Sequence, residues 1–362
     1  MTRGRVLTAI VVMGLTVMGV SAQQEAARGQ GPGQAQGQGQ GRGRGPGIPP
    51  TGTIRNIRGN LYIVPGQGPN TAVLVTRTGV VLVDTKLANN GEAILKQVRT
   101  VTDLPVTMII NTHSHPDHNG SNDYFPVSAE VVTHENLQKR VAADQKLAAV
   151  PNMLPDKTFK DRLSLGSGAD RIDLYYFGAG HTDNDLFVVF PAQRVMHAGD
   201  LMAWNMGPLI DRNAGGSVIA LPDTLEKAAK GIRNVDLVIE GHDEVIPWAG
   251  FVEFGRFNRA LLTAAKAGLG KRTAEEIANE LRRTFPTQTK DEILPGVEYG
   301  GTPLSRAVIN INVAFRELRG EPEPARGGGG GARGAAPPAD GRGTPPPGDG
   351  RGAPPPGDGR GN

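Results

Sequence analysis

The sequence predicts an α/β fold for residues 51–319, and three features lead to it. Short runs rich in Val and Ile alternate with stretches whose apolar residues recur at helical spacing. The runs are closed by Gly, Asn or Pro, as strands in a layered fold are. The alternation also occurs twice, so the folded part reads as two comparable halves of one large domain.

Taken in order, residues 53–57, 60–64, 71–76 and 80–84 read as strands, separated by Gly59, the segment 66–70 and Gly79. They form an antiparallel opening. Ile94, Leu95, Val98 and Val101 then share a helical face, and residues 106–110 form a continuous apolar run typical of a buried strand. Residues 129–133 read as a strand and 135–146 as a helix. The second half repeats the scheme with strands at 171–177, 185–190 and 194–197, a helix near 224–232 and a strand at 235–239. Phe254, Phe257, Leu261, Leu262 and Ala265 mark an amphipathic helix, residues 273–284 another, and both read as scaffold.

The flanks are different. Residues 1–22 carry Arg3 and Arg5, an apolar run and the small residues Ser21 and Ala22, the pattern of a cleaved secretory signal; the run is shorter than the roughly 20 residues that span a bilayer. A periplasmic or secreted location follows as the expectation, with no membrane span in the mature chain. Residues 23–50, rich in Gly and Gln, and 320–362, rich in Pro, Gly, Arg and Asp, cannot bury enough apolar surface to offset chain entropy and read as disordered linker and tail. The net charge of +3 resides in these flanks, leaving the folded part near −1, which gives no electrostatic footprint for nucleic acid. The chain has no cysteine, so disulfides, thiolate ligands, a lipoprotein anchor on cysteine and a Cys nucleophile are all excluded.

Chemistry concentrates after the strand at 106–110, where His113, His115, Asp117 and His118 fall between Asn111 and Gly120. Two imidazoles at i,i+2 leave a strand end on the same side. Adjacent Asp117 and His118 need a turn to converge with them, and Pro116 supplies the break. This donor set is that of a metal site. Three later residues end strands beside glycine: His181 after Gly180, Asp200 after Gly199 and His242 after Gly241. Glycine lets the chain turn so that such side chains can point into a cleft.

Together His113, His115, Asp117, His118, His181, Asp200 and His242 resemble, in order and context, the ligand set of the metallo-β-lactamase superfamily, and Asp84 at the end of Val80-Val-Leu-Val resembles its first motif. The resemblance covers roughly residues 55–250. It implies an αβ/βα sandwich with the ligands on loops along one edge. It implies two metal ions, with His113, His115 and His181 on the first, Asp117, His118 and His242 on the second, and Asp200 bridging. True β-lactamases of the family generally carry Cys or Ser where this chain has Asp200. The aspartate is similar to that of the glyoxalase II and lactonase branches.

The function so implied is metal-dependent hydrolysis of a small-molecule ester, lactone, thioester or related carbonyl compound, with hydroxide generated on the metals and Asp117 orienting it. Donors without thiolate suit Zn²⁺ and leave Mn²⁺ and Fe²⁺ open. The alternatives are a β-lactam hydrolase, an iron-dependent persulfide dioxygenase, or a periplasmic metal-binding accessory protein without turnover. Substrate identity would reside in residues 201–219, which show no signature; Gly215 and Gly216 would permit mobility there. Outside the ligand set, His197 reads as a satisfied core histidine and His134 as a surface residue at a helix start. Asp84 reads as a cap or as a partner for a ligating His. Met202, Trp204 and Met206 read as core or as the lining of the substrate mouth.

Overall fold

The computed structural model describes residues 51–323 except 67, 291–297, 300, 301 and 304. The expected leader and linker, and the tail beyond residue 323, lie outside the described residues. The first half supplies β1 (Arg55–Arg58), β2 (Leu61–Val64), β3 (Thr71–Val75), β4 (Val80–Val83), β5 (Val106–Ile110), β6 (Glu130–His134) and β7 (Lys157–Phe159), hydrogen-bonded in that order into one seven-stranded sheet. Its first four strands are antiparallel, and β4 to β7 run parallel. Between the strands lie α1 (Gly91–Val98), the single turn α2 (Pro116–Asn119), α3 (Glu135–Ala143) and α4 (Gln145–Ala148). The second half supplies β8 (Arg162–Leu165), β9 (Ile172–Tyr175), β10 (Phe187–Phe190), β11 (Val195–His197), β12 (Leu237–Ile239) and β13 (Val245–Pro247), a six-stranded sheet in the order β13-β12-β11-β10-β9-β8. Its helices are α5 (Leu221–Gly231), α6 (Trp248–Gly268), α7 (Ala274–Arg282) and α8 (Arg306–Leu318). Before α8, β14 (Glu298–Tyr299) and β15 (Thr302–Pro303) pair as a short ribbon.

Period-two alternation in the strands builds three apolar layers. Leu61, Ile63, Leu74, Val81, Val83 and Ile110 face Leu174, Val188, Phe190, Val195 and Ile239, forming the layer between the sheets. The opposite side of the first sheet, with Val73, Leu82 and Ile109, packs on Ile94 and Val98 of α1. The opposite side of the second, with Phe187, Val189, Met196 and Val238, packs on Leu225 of α5, Phe254 and Phe257 of α6 and Ile277 of α7, and α8 joins the same cluster. Each such side chain removed from water contributes about 1.5–3 kcal/mol, which is where a cysteine-free chain finds its stability. The result is an αβ/βα sandwich.

Several elements carry too weak a sequence signal to anticipate. Strands β7, β8 and β13 have three or four residues each, too short for a period to register. Helix α8 is rich in β-branched residues; it is started by the Ser305 hydroxyl accepting the Val308 N–H and held by its apolar face on α6 and α7. Residues 321 and 323, expected in the tail, are fastened: Glu323 pairs with Arg212 and Arg316, and the Glu321 carbonyl accepts from Arg212 at 2.7 Å.

Candidate metal centre

Strand β5 delivers the first residues. His113 and His115 leave its end with ring centroids 4.8 Å apart, and Pro116 occupies the first position of α2, where its fixed φ and missing N–H cost nothing. That turn carries Asp117 and His118 back toward His113, whose ring lies 4.0 Å from that of His118. In the second sheet His181 follows β9, Asp200 sits in a 3-10 turn after β11, and His242 follows β12. The turn at Asp200 depends on glycine twice. Gly199 has φ of +51°, and a Cβ at Gly241 would collide with Asp200 Oδ1 and the Gly199 carbonyl.

All seven expected residues converge on the edge shared by the two sheets. Their donor atoms form three groups within 4.8 Å: His113, His115 and His181; His113, His118 and Asp200; and Asp117, His118 and His242. The first and third contain the same residues as the two triads expected from the sequence. Asp200 faces both, with Oδ2 3.8 Å from His181 Nε2 and 3.4 Å from His242 Nε2, and Oδ1 3.3 Å from His118 Nε2. Asp117 Oδ2 lies 3.4 Å from His242 Nε2 and 3.7 Å from His118 Nε2.

Hydrogen bonds on the outward nitrogens orient the rings. Asp84 Oδ2 accepts from both His118 Nδ1 and Thr112 Oγ1 at 2.7 Å, and Oδ1 accepts from the Thr112 N–H at 2.8 Å. Because the Thr112 proton goes to Asp84, His113 Nδ1 is the donor in its 3.1 Å contact with Thr112 Oγ1. His115 Nε2 donates to Asp211 Oδ2 at 2.8 Å, and His181 Nδ1 donates to the Leu209 carbonyl. Those bonds leave His115 Nδ1 and His181 Nε2 as lone pairs facing each other at 2.8 Å. Two lone pairs so close repel unless a cation or proton lies between them.

The remaining inward atoms make the same demand. His113 Nε2, His118 Nε2 and Asp200 Oδ1 are buried with no hydrogen-bond partner, a costly arrangement in a native interior unless an ion completes it. Burial, together with the neighbouring His118, holds the His113 pKa well below the ordinary imidazole value. Burial, with His115 beside it, brings His181 to about 4. Burial opposes charge on His118 too, but the carboxylates of Asp200, Asp84 and Asp117 outweigh it and hold its pKa well above the ordinary value. Burial also disfavours ionised Asp117, yet His118 and His242 hold its pKa at about 2. The residues present therefore fit divalent transition metals: His113 and His181 favour the neutral ring, Asp117 and Asp200 stay ionised, and the same carboxylates that favour a proton on His118 and His242 favour a metal cation in its place, with no thiolate in the set.

The other expectations resolve individually. His197 is buried and satisfied on both sides, its Nε2 3.1 Å from the Asn70 carbonyl and its Nδ1 accepting the Gly199 N–H, so it braces the Asp200 turn. His134 is not on the surface. It is 2 % exposed, caps α3 by accepting the Asn136 N–H, and stacks on Tyr176. Phe159 of β7 and Tyr176, just past β9, pack on its ring, which its place at a helix start could not reveal. Met202 and Met206 are core, whereas Trp204 is partly exposed and stacks on His242. Gly215 and Gly216 close a tight turn in which the Gly216 N–H bonds the Asp211 carbonyl. Asp211 itself gave no signal, because nothing in its local sequence shows that the turn faces His115.

Residues 65–242 match the sequence model described as the metallo-beta-lactamase superfamily. Metallo-beta-lactamase IND-1 of Chryseobacterium indologenes is 27% identical over 208 residues, covering 54% of this chain and 82% of that protein. A type 2 metallo-beta-lactamase of Bacteroides fragilis is 25% identical over 185 residues, covering 50% of this chain and 70% of its own length. The crystal structure of DIM-1 metallo-beta-lactamase shares the fold with a TM-score of 0.51 at 16% identity, covering 59% of this chain and 99% of that one. The folded part of the chain belongs to the metallo-β-lactamase superfamily.

Proposed function

We propose that this superfamily member is an exported metal-dependent hydrolase of a small-molecule ester, lactone, thioester or related carbonyl compound. In this reading His113, His115 and His181 hold one divalent ion, Asp117, His118 and His242 hold a second, and Asp200 lies between them. Zinc is the expected metal. The observation that carries the reading is the placement of Asp200, whose two carboxylate oxygens face His118, His181 and His242 within 3.8 Å. Ions of this class, when bound, lower the pKa of water and polarise a carbonyl oxygen, so no side-chain nucleophile is required.

The chain contributes orientation and charge. Asp84, Thr112, Asp211 and the Leu209 carbonyl hold four imidazoles with an inward lone pair, which removes their reorganisation from the reaction. Asp117 stays ionised at neutral pH, and its side chain is 30% exposed, the most open of the carboxylates there. It is placed to accept a proton at Oδ and to direct the attacking oxygen. Asp200, 11% exposed, balances the charge of both halves.

β-Lactam hydrolysis is the second reading, favoured by the names of the relatives at 25–27% identity. Against it stands the aspartate at position 200, since an anionic oxygen there resembles the general hydrolase branches. Assaying zinc-loaded protein against lactone, thioester, phosphodiester and β-lactam panels separates the two. Turnover of the carbonyl panels above the β-lactams supports the proposal; efficient β-lactam turnover alone overturns it. Export rests on the signal-like pattern of residues 1–22. N-terminal sequencing of protein recovered outside the cytoplasm, starting near Gln23, tests it.

A further inference from the structure

His242 is held differently from the other four imidazoles of the centre. Those four each hydrogen-bond through the outward nitrogen. Among the described residues, Nδ1 of His242 makes no such bond, and an indole covers the ring instead. Trp204 lies face to face with it, centroids 4.3 Å apart and planes 9° apart. The Arg306 guanidinium stands over the same indole at 4.0 Å. Two groups that close cannot share one face, so the indole is clamped between cation and imidazole.

The backbone around Trp204 is built to keep it there. Trp204 and Asn205 have φ of +58° and +47°, a left-handed pair that side chains other than glycine rarely adopt. It persists because the Trp204 N–H donates to the His242 carbonyl at 3.2 Å, the Asn205 N–H to Glu240 Oε2 at 2.7 Å, and Gln288 Nε2 to Asn205 Oδ1 at 3.1 Å. Arg306 opens α8 and is 2 % exposed. It lies beyond residues 65–242, so family resemblance does not supply this contact.

We propose that Trp204, clamped by Arg306, is a positioning residue that fixes the His242 ring for the second metal ion, so that helix α8 governs occupancy of that site. The electron-rich indole faces favour a cation on one side and a metal-polarised imidazole on the other. The inference rests on the two-metal reading above, and its test is chosen to fail separately from it.

The test is titration of the metal-free full-length protein with Co²⁺ alone, with histidine-labelled NMR recorded on the metal-free samples before Co²⁺ is added. Trp204→Ala is expected to weaken the second Co²⁺ step roughly tenfold and to leave the first unchanged. Trp204→Phe should recover most of the loss, and Arg306→Met should weaken the second step by less than Trp204→Ala does. The carbon-bound ring protons of His242, shielded by the indole in the wild type, should move downfield in Trp204→Ala, with the shifts of His113 and His115 unchanged. Unchanged Co²⁺ steps, or equal loss from both, overturns the proposal, as does a His242 signal indifferent to Trp204. A wild type that takes only one Co²⁺ ion overturns the two-metal reading, and the ring signals then decide the positioning role alone. If Trp204→Ala does not fold, Trp204→Phe and Arg306→Met carry the comparison.

Discussion

Asp84→Asn reaches the metal centre without touching a metal. Asp84 is fully buried, at φ of +63° just past β4, and its carboxylate accepts three bonds of 2.7–2.8 Å from Thr112 N, Thr112 Oγ1 and His118 Nδ1. An asparagine keeps one accepting oxygen and turns an NH₂ toward protons that need acceptors. If the oxygen keeps the Thr112 backbone N–H, the NH₂ confronts His118 Nδ1–H, and the ring relieves the clash by moving its proton to Nε2. The lone pair that faces Asp117 and Asp200 is then lost. Substitution of such orienting partners costs about 10–100-fold in metal affinity, which is about 1.4–2.7 kcal/mol. A further cost of about 1–3 kcal/mol in folding stability follows from the unmatched buried donors. Metal affinity is read by competition with a chromophoric chelator, and the His118 tautomer by ¹⁵N NMR. Affinity within about twofold of wild type, with the proton still on Nδ1, would refute the reasoning.

Asp200→Asn keeps the shape but removes the charge between the two groups of ligands, so metal should be held less tightly and kcat should fall by orders of magnitude on any substrate found; unchanged turnover at full metal content would contradict this. Truncation after Glu323 should leave melting temperature and turnover unchanged, whereas ending the chain at Arg319 removes Glu323 from Arg212 and Arg316 and should lower the melting temperature by several degrees in calorimetry. Lys86 supplies a pH test. Burial lowers its pKa to about 7, against the attraction of Asp84, while its amine bonds the Val64 and Pro69 carbonyls. Below about pH 7 both folded and unfolded chains carry its charge, and between about 7 and 10.5 only the unfolded chain does, so the unfolded state binds more protons and stability rises with pH across that window. Denaturant unfolding of the wild type relative to Lys86→Met should show the rise, and a flat difference would show that the amine is solvated.

The sequence by itself determined the class of fold through local spacing and, through its resemblance to a known ligand set, pointed to the seven residues that the structure brings together. Apolar alternation in Val80–Val83 and Val106–Ile110 defines strands wherever they come to lie. A His-x-His-x-Asp-His run and three glycine-flanked strand ends define a donor set before any distance is known. Only the tertiary structure decided which nitrogen each imidazole turns inward. That depends on partners as far as 96 positions away, such as Asp211 for His115 and Asp84 for His118. The same holds for His134, covered by Tyr176 just past a strand of the other half, and for Trp204, whose clamp comes from Arg306 102 residues later. Hydrogen-bond direction and ring stacking are set by what the chain brings alongside. Local pattern carries propensity and donor type, while long-range packing fixes orientation, and at this centre orientation decides which lone pairs are available.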